Sequence, residues 1–219
     1  MVHTGAAEIS LVPERTFGRP LISTVLPDFN GSLARRRAFA ALKGLQLREE
    51  VYGLDGSPNV DVPYSVQEQT FDISFLQEPQ KPKQAGVTRV TPRETVSLLY
   101  ERERGNPRME QTLVLERNEF GSVRRSLLVL HGCAKSLITN ESKREIQESS
   151  VAVLTETAYT NLITDDRSFP KPQIASTRAE HILNFRTTGL ISFKDVQNNP
   201  VEMLRNMNGV NRENPVRVV

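Results

Sequence analysis

The stretch from Glu94 to Gly132 constrains the fold more than any other part of the sequence. It holds three runs of mainly apolar residues, and the turns Asn106-Pro107 and Glu119-Phe120-Gly121 separate them. Short runs separated by Asn, Pro and Gly are typical of antiparallel strands joined by tight turns. The stretch therefore predicts a three-stranded meander, with strands at Thr95–Tyr100, Thr112–Leu115 and Val123–Leu130.

The middle strand of this meander has the alternation of a sheet with one apolar face. Leu113 and Leu115 point to one side of the predicted strand, and Thr112 and Val114 point to the other. Gly121 supplies the positive φ that the second turn needs, and Pro107 presets φ in the first. The meander has no metal-ligand cluster and no phosphate-binding loop. Residue chemistry alone therefore indicates a β scaffold.

Four more segments have strand patterns. In the segment Ser65–Leu76, an apolar residue recurs at every other position (Phe71, Ile73 and Phe75), which predicts one apolar face. Polar, proline-bearing loops are predicted at Glu78–Gly86 and at Asp165–Gln173. The four predicted strands are Leu45–Leu54, Ser65–Leu76, Val151–Thr160 and Arg178–Phe185.

Three segments have helical patterns. The first has Ser32 as N-cap, Leu33–Lys43 as its body and Gly44 as its stop. Its apolar stripe is predicted to run through Phe39 and Leu42 with Ala38 or Arg35. The polar stretch Lys135–Ser150 indicates a surface insertion with a short helix at Ser142–Glu148, and Asp195–Met207 predicts a short helix entered near Pro200.

Together these elements predict a mainly β fold: an antiparallel strand-turn-strand segment with one short helix near each end. Residues 1–30 form an irregular N-terminal segment in this interpretation, and residues 31–195 form the β domain. Residues 196–219 complete the chain as a short helix and a polar tail.

Composition excludes several classes of protein. The 219 residues include 28 Lys and Arg against 26 Asp and Glu, so no general field attracts nucleic acid or an anionic membrane. Cys133 is the only cysteine, which rules out a disulfide-stapled secreted scaffold. No signal peptide is recognisable at the N-terminus, and apolar runs such as Leu127–Leu130 are far too short to span a membrane.

The strongest catalytic candidates are His131 and Cys133, because a spacing of two places both on one face of a strand. A Cys–His pair needs an activated thiolate and a third group that orients the base, and the sequence supplies neither. Only His3 and His181 remain as further histidine ligands, so a metal site is not expected. The adjacent acids Asp165-Asp166 are typical of a solvated turn.

The remaining motifs also favour structural roles. Arg35-Arg36-Arg37 fans over about 200° of a helix and cannot form one phosphate-binding patch. Gly31, Gly53 and Gly56 match no nucleotide-binding motif, so no cofactor is expected. Glycosylation triplets occur at Asn30 and Asn140. Four tyrosines, spread one to a strand or turn, suit core or cross-strand pairing better than base stacking: Tyr52, Tyr64, Tyr100 and Tyr159.

Several segments resemble, in the same order, the B-type subunits of bacterial insecticidal toxin complexes (TcdB/TcaC-like, related to SpvB) in their middle/C-terminal region. The resemblance covers roughly residues 35–195. Its motifs include ALKGLQLREEVYGLDG, PYSVQEQ and TETAYTN. The resembling segments are Ala41–Gly56, Pro63–Gln69, Pro92–Thr95 with Tyr100–Arg102, Asn106–Arg108, Leu113–Glu116 with Glu119–Val123, and Thr155–Asn161.

This resemblance implies a non-enzymatic piece of a secreted β-rich shell. In the family, the B subunit and its C-type RHS partner form a hollow cocoon around an unfolded cytotoxic segment, which a pore-forming A subunit translocates. A whole B subunit is many times longer than this chain, so the resemblance implies a fragment or a truncated relative. Two alternatives remain: a truncated stand-alone β interaction module without toxin activity, which binds partners by strand addition, and an enzyme that uses Cys133 and His131. For localisation, the cytoplasm is the alternative to secretion.

Overall fold

The computed structural model of the chain describes residues 8–9, 22, 24–25, 31–53, 56–77, 86–103, 105, 107–133, 139–161, 171–187 and 189–207. The chain divides into two compact units, Met1–Pro107 and Arg108–Val219. The predicted loop Glu78–Gly86 falls outside the described residues except for Gly86. Most of the predicted loop Asp165–Gln173 falls outside them too.

The first unit is built on three antiparallel strands, β3 (Arg48–Val51), β4 (Ser65–Gln77) and β5 (Val87–Leu99), in that order. Before them come a two-residue antiparallel pair, β1 (Glu8–Ile9) and β2 (Thr24–Val25), and one helix, α1 (Ser32–Ala41). The strand predicted at Ser65–Leu76 is therefore confirmed as β4. The predicted irregular segment at residues 1–30 contains β1 and β2, and most of its other residues lie outside the described part.

Strand β4 buries different faces at its two ends. Phe71 and Ile73 are buried on the face that receives α1, as the period-2 pattern predicts. Val66 and Glu68 are buried on the opposite face. Between these regions Thr70 pairs with Glu94 while Phe71 pairs with Pro92, so the register of β4 and β5 shifts by one residue. A proline is tolerated beside such a bulge because it cannot donate a ladder hydrogen bond.

Strand β3 is shorter than the sequence predicts. The pattern predicts a strand over Leu45–Leu54, but pairing is confined to Arg48–Val51. The amide of Leu45 donates to the carbonyl of Leu42 in a turn, which delays the start of the strand. Strand β3 ends at Val51 because its partner strand β4 begins only at Ser65. The Tyr64 amide donates to Val51 O in the last hydrogen bond between the two segments. A strand continues only where a partner continues the ladder.

Helix α1 confirms the predicted helix but corrects its details. Its N-cap is Gly31 at φ 90°, not Ser32, which is the first helical residue. The buried stripe runs through Ala34 and Ala38, and Phe39 is 38% exposed, so the prediction of Phe39 on the apolar face is wrong. Small residues at spacing four let the helix approach β5 closely. Gly44 adopts φ 84° after the helix, as the stop signal predicts.

The second unit is a four-stranded antiparallel sheet in chain order: β6 (Arg108–Arg117), β7 (Val123–Leu130), β8 (Ser150–Tyr159) and β9 (Ile174–Phe185). The hairpin predicted for the last two strands of the meander is confirmed as β6 and β7. Its turn has Gly121 at φ 87°, and the Asn118 side chain accepts from the amides of Phe120 and Ser122. The first predicted strand of the meander, Thr95–Tyr100, lies within β5 except for Tyr100.

One face of this sheet carries the core of the second unit. Leu113, Leu127, Ala152 and Ile182, one from each strand, are buried there, as the alternation in β6 predicts. Two short helices, α3 (Phe193–Val196) and α4 (Pro200–Asn206), cover this face. Other buried members of the core are Leu115, Val129, Leu154, Phe185, Ile191, Val196 and Leu204.

Two predictions near the C-terminus need correction. Strand β9 begins at Ile174, four residues before the predicted Arg178, because β8 supplies a partner as far as Tyr159. The helix predicted at Asp195–Met207 is broken into α3 and α4. Asn199 has an extended φ of −136° because a residue before proline avoids the helical region, and its side chain then caps α4.

The predicted short helix of the polar insertion is confirmed as α2 (Glu141–Glu148). The Asn140 side chain accepts from the Lys143 amide at 3.1 Å and so caps the helix. None of its residues is buried, in agreement with a surface insertion.

Replacement of Leu127 by Ala is expected to lower the free energy of unfolding by about 2–5 kcal/mol, because it leaves a cavity in a fully buried core. Leu130→Ala in the same strand is the matched control, since Leu130 is 45% exposed and its loss should cost about 1 kcal/mol or less. Urea unfolding followed by circular dichroism measures both. Equal losses would contradict the assignment of the core face.

Candidate functional site

The structure places His131 and Cys133 beyond the end of β7, so the prediction that both share one face of a strand is wrong. The His131 amide donates to Met109 O at 3.0 Å, and the Cys133 amide donates to Gln147 O at 2.8 Å. These bonds fix the chain as it leaves the sheet and passes α2. Both bonds join backbone groups, so they position the main chain and do not involve the Cys133 thiol.

The imidazole of His131 contacts an amide side chain. Gln111 is fully buried; its Nε2 donates to Ile191 O at 2.8 Å, and its Oε1 accepts from the Ile191 amide at 2.9 Å. His131 Nε2 lies 3.2 Å from the same Oε1, so it must carry the proton and donate. Burial lowers the pKa of His131 from 6.5 to about 4. The ring is therefore a neutral donor at physiological pH.

Gly132, between these two residues, lies against the end of α2. Its amide donates to Ser150 Oγ at 3.0 Å. A Cβ at this position would lie 2.2 Å from the backbone oxygen of Glu148, closer than any real contact. The close approach requires glycine, and it ties the start of β8 to the end of β7.

A second polar cluster joins β3 to β4 in the first unit. Glu68 is only 2% exposed and pairs with Arg48, which stands opposite it in the register. Arg48 Nε also donates to Glu50 Oε1 at 2.6 Å, and the amide of Ile22 donates to Glu68 Oε2 at 3.0 Å. A buried carboxylate is tolerated because a guanidinium and a backbone donor satisfy its oxygens.

Two tyrosines border this cluster. Tyr52 O–H donates to Glu50 Oε2 at 2.5 Å, and partial burial together with this bond raises the pKa of Tyr52 to about 12. Burial also raises the pKa of Tyr100. A phenol with a raised pKa stays protonated and acts as a hydrogen-bond donor, and it is a poor general base near pH 7.

The chain turns sharply after β5. Glu101 and Arg102 adopt φ of 50° and 67°, and the amides of Tyr100 and Glu101 both donate to Tyr64 O. The Arg102 guanidinium lies 5.3 Å from the centre of the Tyr64 ring. Tyr52 and Tyr64 are exposed, so of the two expected roles, core packing or cross-strand pairing, neither residue takes the first. The Tyr159 hydroxyl donates to Val123 O at 2.9 Å.

The other residues singled out in the sequence do not assemble into a site. Arg35-Arg36-Arg37 lies exposed along α1, and Arg35 lies over the Phe39 ring at 5.8 Å. Asp165-Asp166 lies outside the described residues. In the part of the chain that the structure describes, no three His, Cys, Asp or Glu side chains are arranged to hold a metal ion. None of the described helices has the length and apolarity to cross a membrane.

Two buried polar residues, Gln111 and Glu68, were not predicted from the sequence. Both carry a signal in the pattern: Gln111 precedes Leu113 and Leu115 on one face of a strand, and Glu68 alternates with Val66. A polar residue in the buried, apolar face of a strand indicates that its side chain is hydrogen-bonded inside the protein. The Gln111 side chain bonds to Ile191, and the Glu68 carboxylate bonds to Arg48 and Ile22, so both side chains connect segments of the fold. We therefore interpret both networks as structural.

The sequence of the chain matches one family. A family model described as the insecticide toxin TcdB middle/C-terminal region matches residues 37–169. No curated protein sequence matches the chain.

Three solved structures have the same fold. A TcdB2-TccC3 crystal structure superposes with a TM-score of 0.66 at 23% identity over 81% of this chain. A TcdB2-TccC3-Cdc42 structure superposes with a TM-score of 0.66 at 22% identity over 89% of this chain. The structure of the Photorhabdus luminescens Tc holotoxin pore superposes with a TM-score of 0.63 at 22% identity over 86% of this chain. In each case this chain spans 9% of the other chain.

We predict that the second unit loses stability as the pH falls from 6.5 toward 4. The unfolded chain protonates His131 near 6.5 and the folded chain only near 4, so in this window the unfolded state binds more protons. The contribution of neutral His131 to the free energy of unfolding is fully present above pH 6.5 and is lost on acidification toward pH 4. Denaturant unfolding from pH 8 to pH 4 should show a shallower pH slope for His131→Asn than for the wild type. Identical slopes would refute the buried neutral imidazole.

Gly132→Ala should destabilise the fold by about 1–3 kcal/mol, because the added methyl group collides with the backbone of Glu148. Gly105→Ala is the matched control, since nothing lies within 4 Å of its Cβ position, and a change within about 0.5 kcal/mol is expected. Thermal unfolding of both variants measures the difference. A Gly132→Ala variant as stable as the control would show that the close approach is not required.

Proposed function

Because the chain belongs to the family of the insecticide toxin TcdB middle/C-terminal region, we propose that it forms part of the wall of a β-rich toxin shell. In this role it is non-enzymatic. The shell, completed by a C-type RHS partner, encloses a cytotoxic segment until a pore-forming A-type subunit delivers it.

The observation that carries this proposal is the extent of the structural match. Between 80% and 89% of the chain superposes on TcdB2-TccC3 structures, yet it covers only 9% of their chains. A segment of this size within a much larger chain suits a wall element, which extends a sheet and needs no site of its own. The proposed β domain at residues 31–195 contains the whole region that the family model matches.

The way the chain uses its polar groups supports the same role. Gln111 serves as a clamp between β6 and the segment at Ile191, and Glu68 joins β4 to β3 and to Ile22. The catalytic candidate His131 donates its ring proton to Gln111 in a hydrogen bond. Rigid joints of this kind hold adjacent strands in one register, which the wall of a closed shell requires.

The proposed partners are the C-type RHS subunit and the A-type pore subunit of a toxin complex, together with other parts of the shell. Neither nucleic acid nor direct membrane insertion belongs to this role. The proposed destination is secretion with the complex.

Capture of the native product from the cells that make it, with an antibody raised against residues 60–130, tests this function. The expected result is co-capture of an RHS-type subunit in roughly equal amount, identified by mass spectrometry. Limited proteolysis of the captured complex should leave the C-terminal segment of that subunit protected, because a closed wall excludes the protease. Release of this segment by denaturant should abolish the protection.

The control is the same capture after the antibody has been saturated with the purified 219-residue chain. Native product captured without any RHS-type protein would refute the shell role. Replacement of His131 by Asn and of Cys133 by Ser should leave co-capture unchanged, since the proposal gives these residues no catalytic part. Loss of a chemical activity in these variants would contradict the non-enzymatic assignment.

A further inference from the structure

The sheet of the second unit has a second face, opposite the face on which α3 and α4 pack. One row across it consists of Thr112, Leu128, Val153 and His181, which stand opposite one another in β6, β7, β8 and β9. All four residues are half-buried. Because residues of one row in neighbouring strands place their side chains on the same side of the sheet, the four form one continuous strip.

The rows on either side widen this strip with side chains of the same kind. On one side Leu130, which is 45% exposed, pairs with Val151. On the other side Val114, Ser126 and Thr155 stand opposite one another in β6, β7 and β8. The three rows together therefore present Leu, Val, Ser and Thr side chains with one histidine. We call the surface that these rows form the aliphatic face.

Charged side chains lie at the ends of the aliphatic face. Glu110 stands opposite Leu130, the last residue of β7. Toward the turn between β6 and β7, Arg124 Nη1 lies 3.2 Å from Glu116 Oε1, and the two side chains are 54% and 42% exposed. The centre of the face is built from uncharged side chains, so its chemistry selects neither an anion nor a cation.

The opposite side of the unit ends in a charged helical layer. Helices α3 and α4 bury Val196 and Leu204 against the core. Lys194, Asp195 and Glu202 are exposed on the same two helices. An apolar side on the core and a charged side away from it are typical of helices that face water. The two surfaces of the unit therefore differ in kind, one charged and one aliphatic.

We propose that the aliphatic face lines the interior of the shell and contacts the enclosed cytotoxic segment, while α3 and α4 lie on the outside. This inference rests on the proposed shell role, and it adds the orientation of the sheet and the surface that meets the segment. In a wall that is one sheet thick, one face of the sheet is turned to the interior and the other to the outside. The charged helices suit the outside, which leaves the aliphatic face for the interior.

The chemistry of the aliphatic face fits an unfolded polypeptide. Such a segment exposes apolar side chains together with backbone amides and carbonyls. Leu and Val side chains offer apolar contact to the first, and Ser and Thr hydroxyls can donate to or accept from the second. A surface with few charges also neither attracts nor repels strongly a segment of either net charge. Turned to water instead, the same surface would promote association.

Site-specific photo-crosslinking in the native product, captured with its partners, tests the orientation. Separate variants carry p-benzoylphenylalanine in place of Leu128 or of Val153 on the aliphatic face. The matched controls carry it in place of Lys194 or of Glu202 on the helical layer. None of these four residues is buried, so the replacements leave the core of the unit intact. After irradiation, mass spectrometry identifies the crosslinked peptides.

The variants at Leu128 and Val153 should crosslink to the C-terminal segment of the RHS-type subunit. The crosslinks should be spread over many positions of this segment, because an unfolded chain has no single bound arrangement. The variants at Lys194 and Glu202 should give no crosslink to it. Co-capture of the RHS-type subunit verifies that each variant is folded and assembled, and denaturant added before irradiation should abolish the crosslinks.

Three results would overturn the proposal. Crosslinks to the segment from Lys194 or Glu202, and not from the aliphatic face, would reverse the orientation and leave the shell role standing. Crosslinks from neither surface, in a complex whose segment is protected from protease, would show that this part of the wall does not contact the segment. Capture without any RHS-type subunit would refute the shell role and the orientation together.

Discussion

Cross-strand pairing in the second unit is the constraint on which its other features depend. In β6 to β9 the partners Thr112, Leu128, Val153 and His181 stand in one row across all four strands. The adjacent row turns its side chains to the opposite face, where α3 and α4 pack, and consists of Leu113, Leu127, Leu154 and Glu180. Because side chains alternate with a period of two, a slip of one residue in any strand would move its apolar residues out of this core.

Buried polar clamps hold this register at the ends of the strands. The two hydrogen bonds between Gln111 and Ile191 bind the start of β6 to the segment that follows β9, and His131 donates to the same oxygen of Gln111. In the first unit, Glu68 and Arg48 fix β3 on β4 in the same way. An unsatisfied group at either place would cost about 1–3 kcal/mol, so these networks favour one arrangement over its neighbours. Such rigidity suits the proposed wall role.

The elements whose signals are local could be predicted from the sequence. The alternation Phe71, Ile73, Phe75, the turn at Gly121 and the polar helix before β8 all follow from patterns within a few residues. The Arg48–Glu68 pair could not be predicted in this way, because it depends on the register of two strands joined by a long connection. The limits of β3 likewise depend on partners distant in sequence. For the site, the resemblance of residues 41–56 and 155–161 to a toxin-shell family carried more information than any single reactive side chain.

The wall role is tested most directly by electron cryomicroscopy of the native product captured with its partners. The account predicts a hollow particle in which the strands β6 to β9 lie within the wall, with their neighbours continuing the sheet and with density for an enclosed segment inside. A complex in which these strands stand apart from any enclosing wall, or a particle without an interior space, would contradict it.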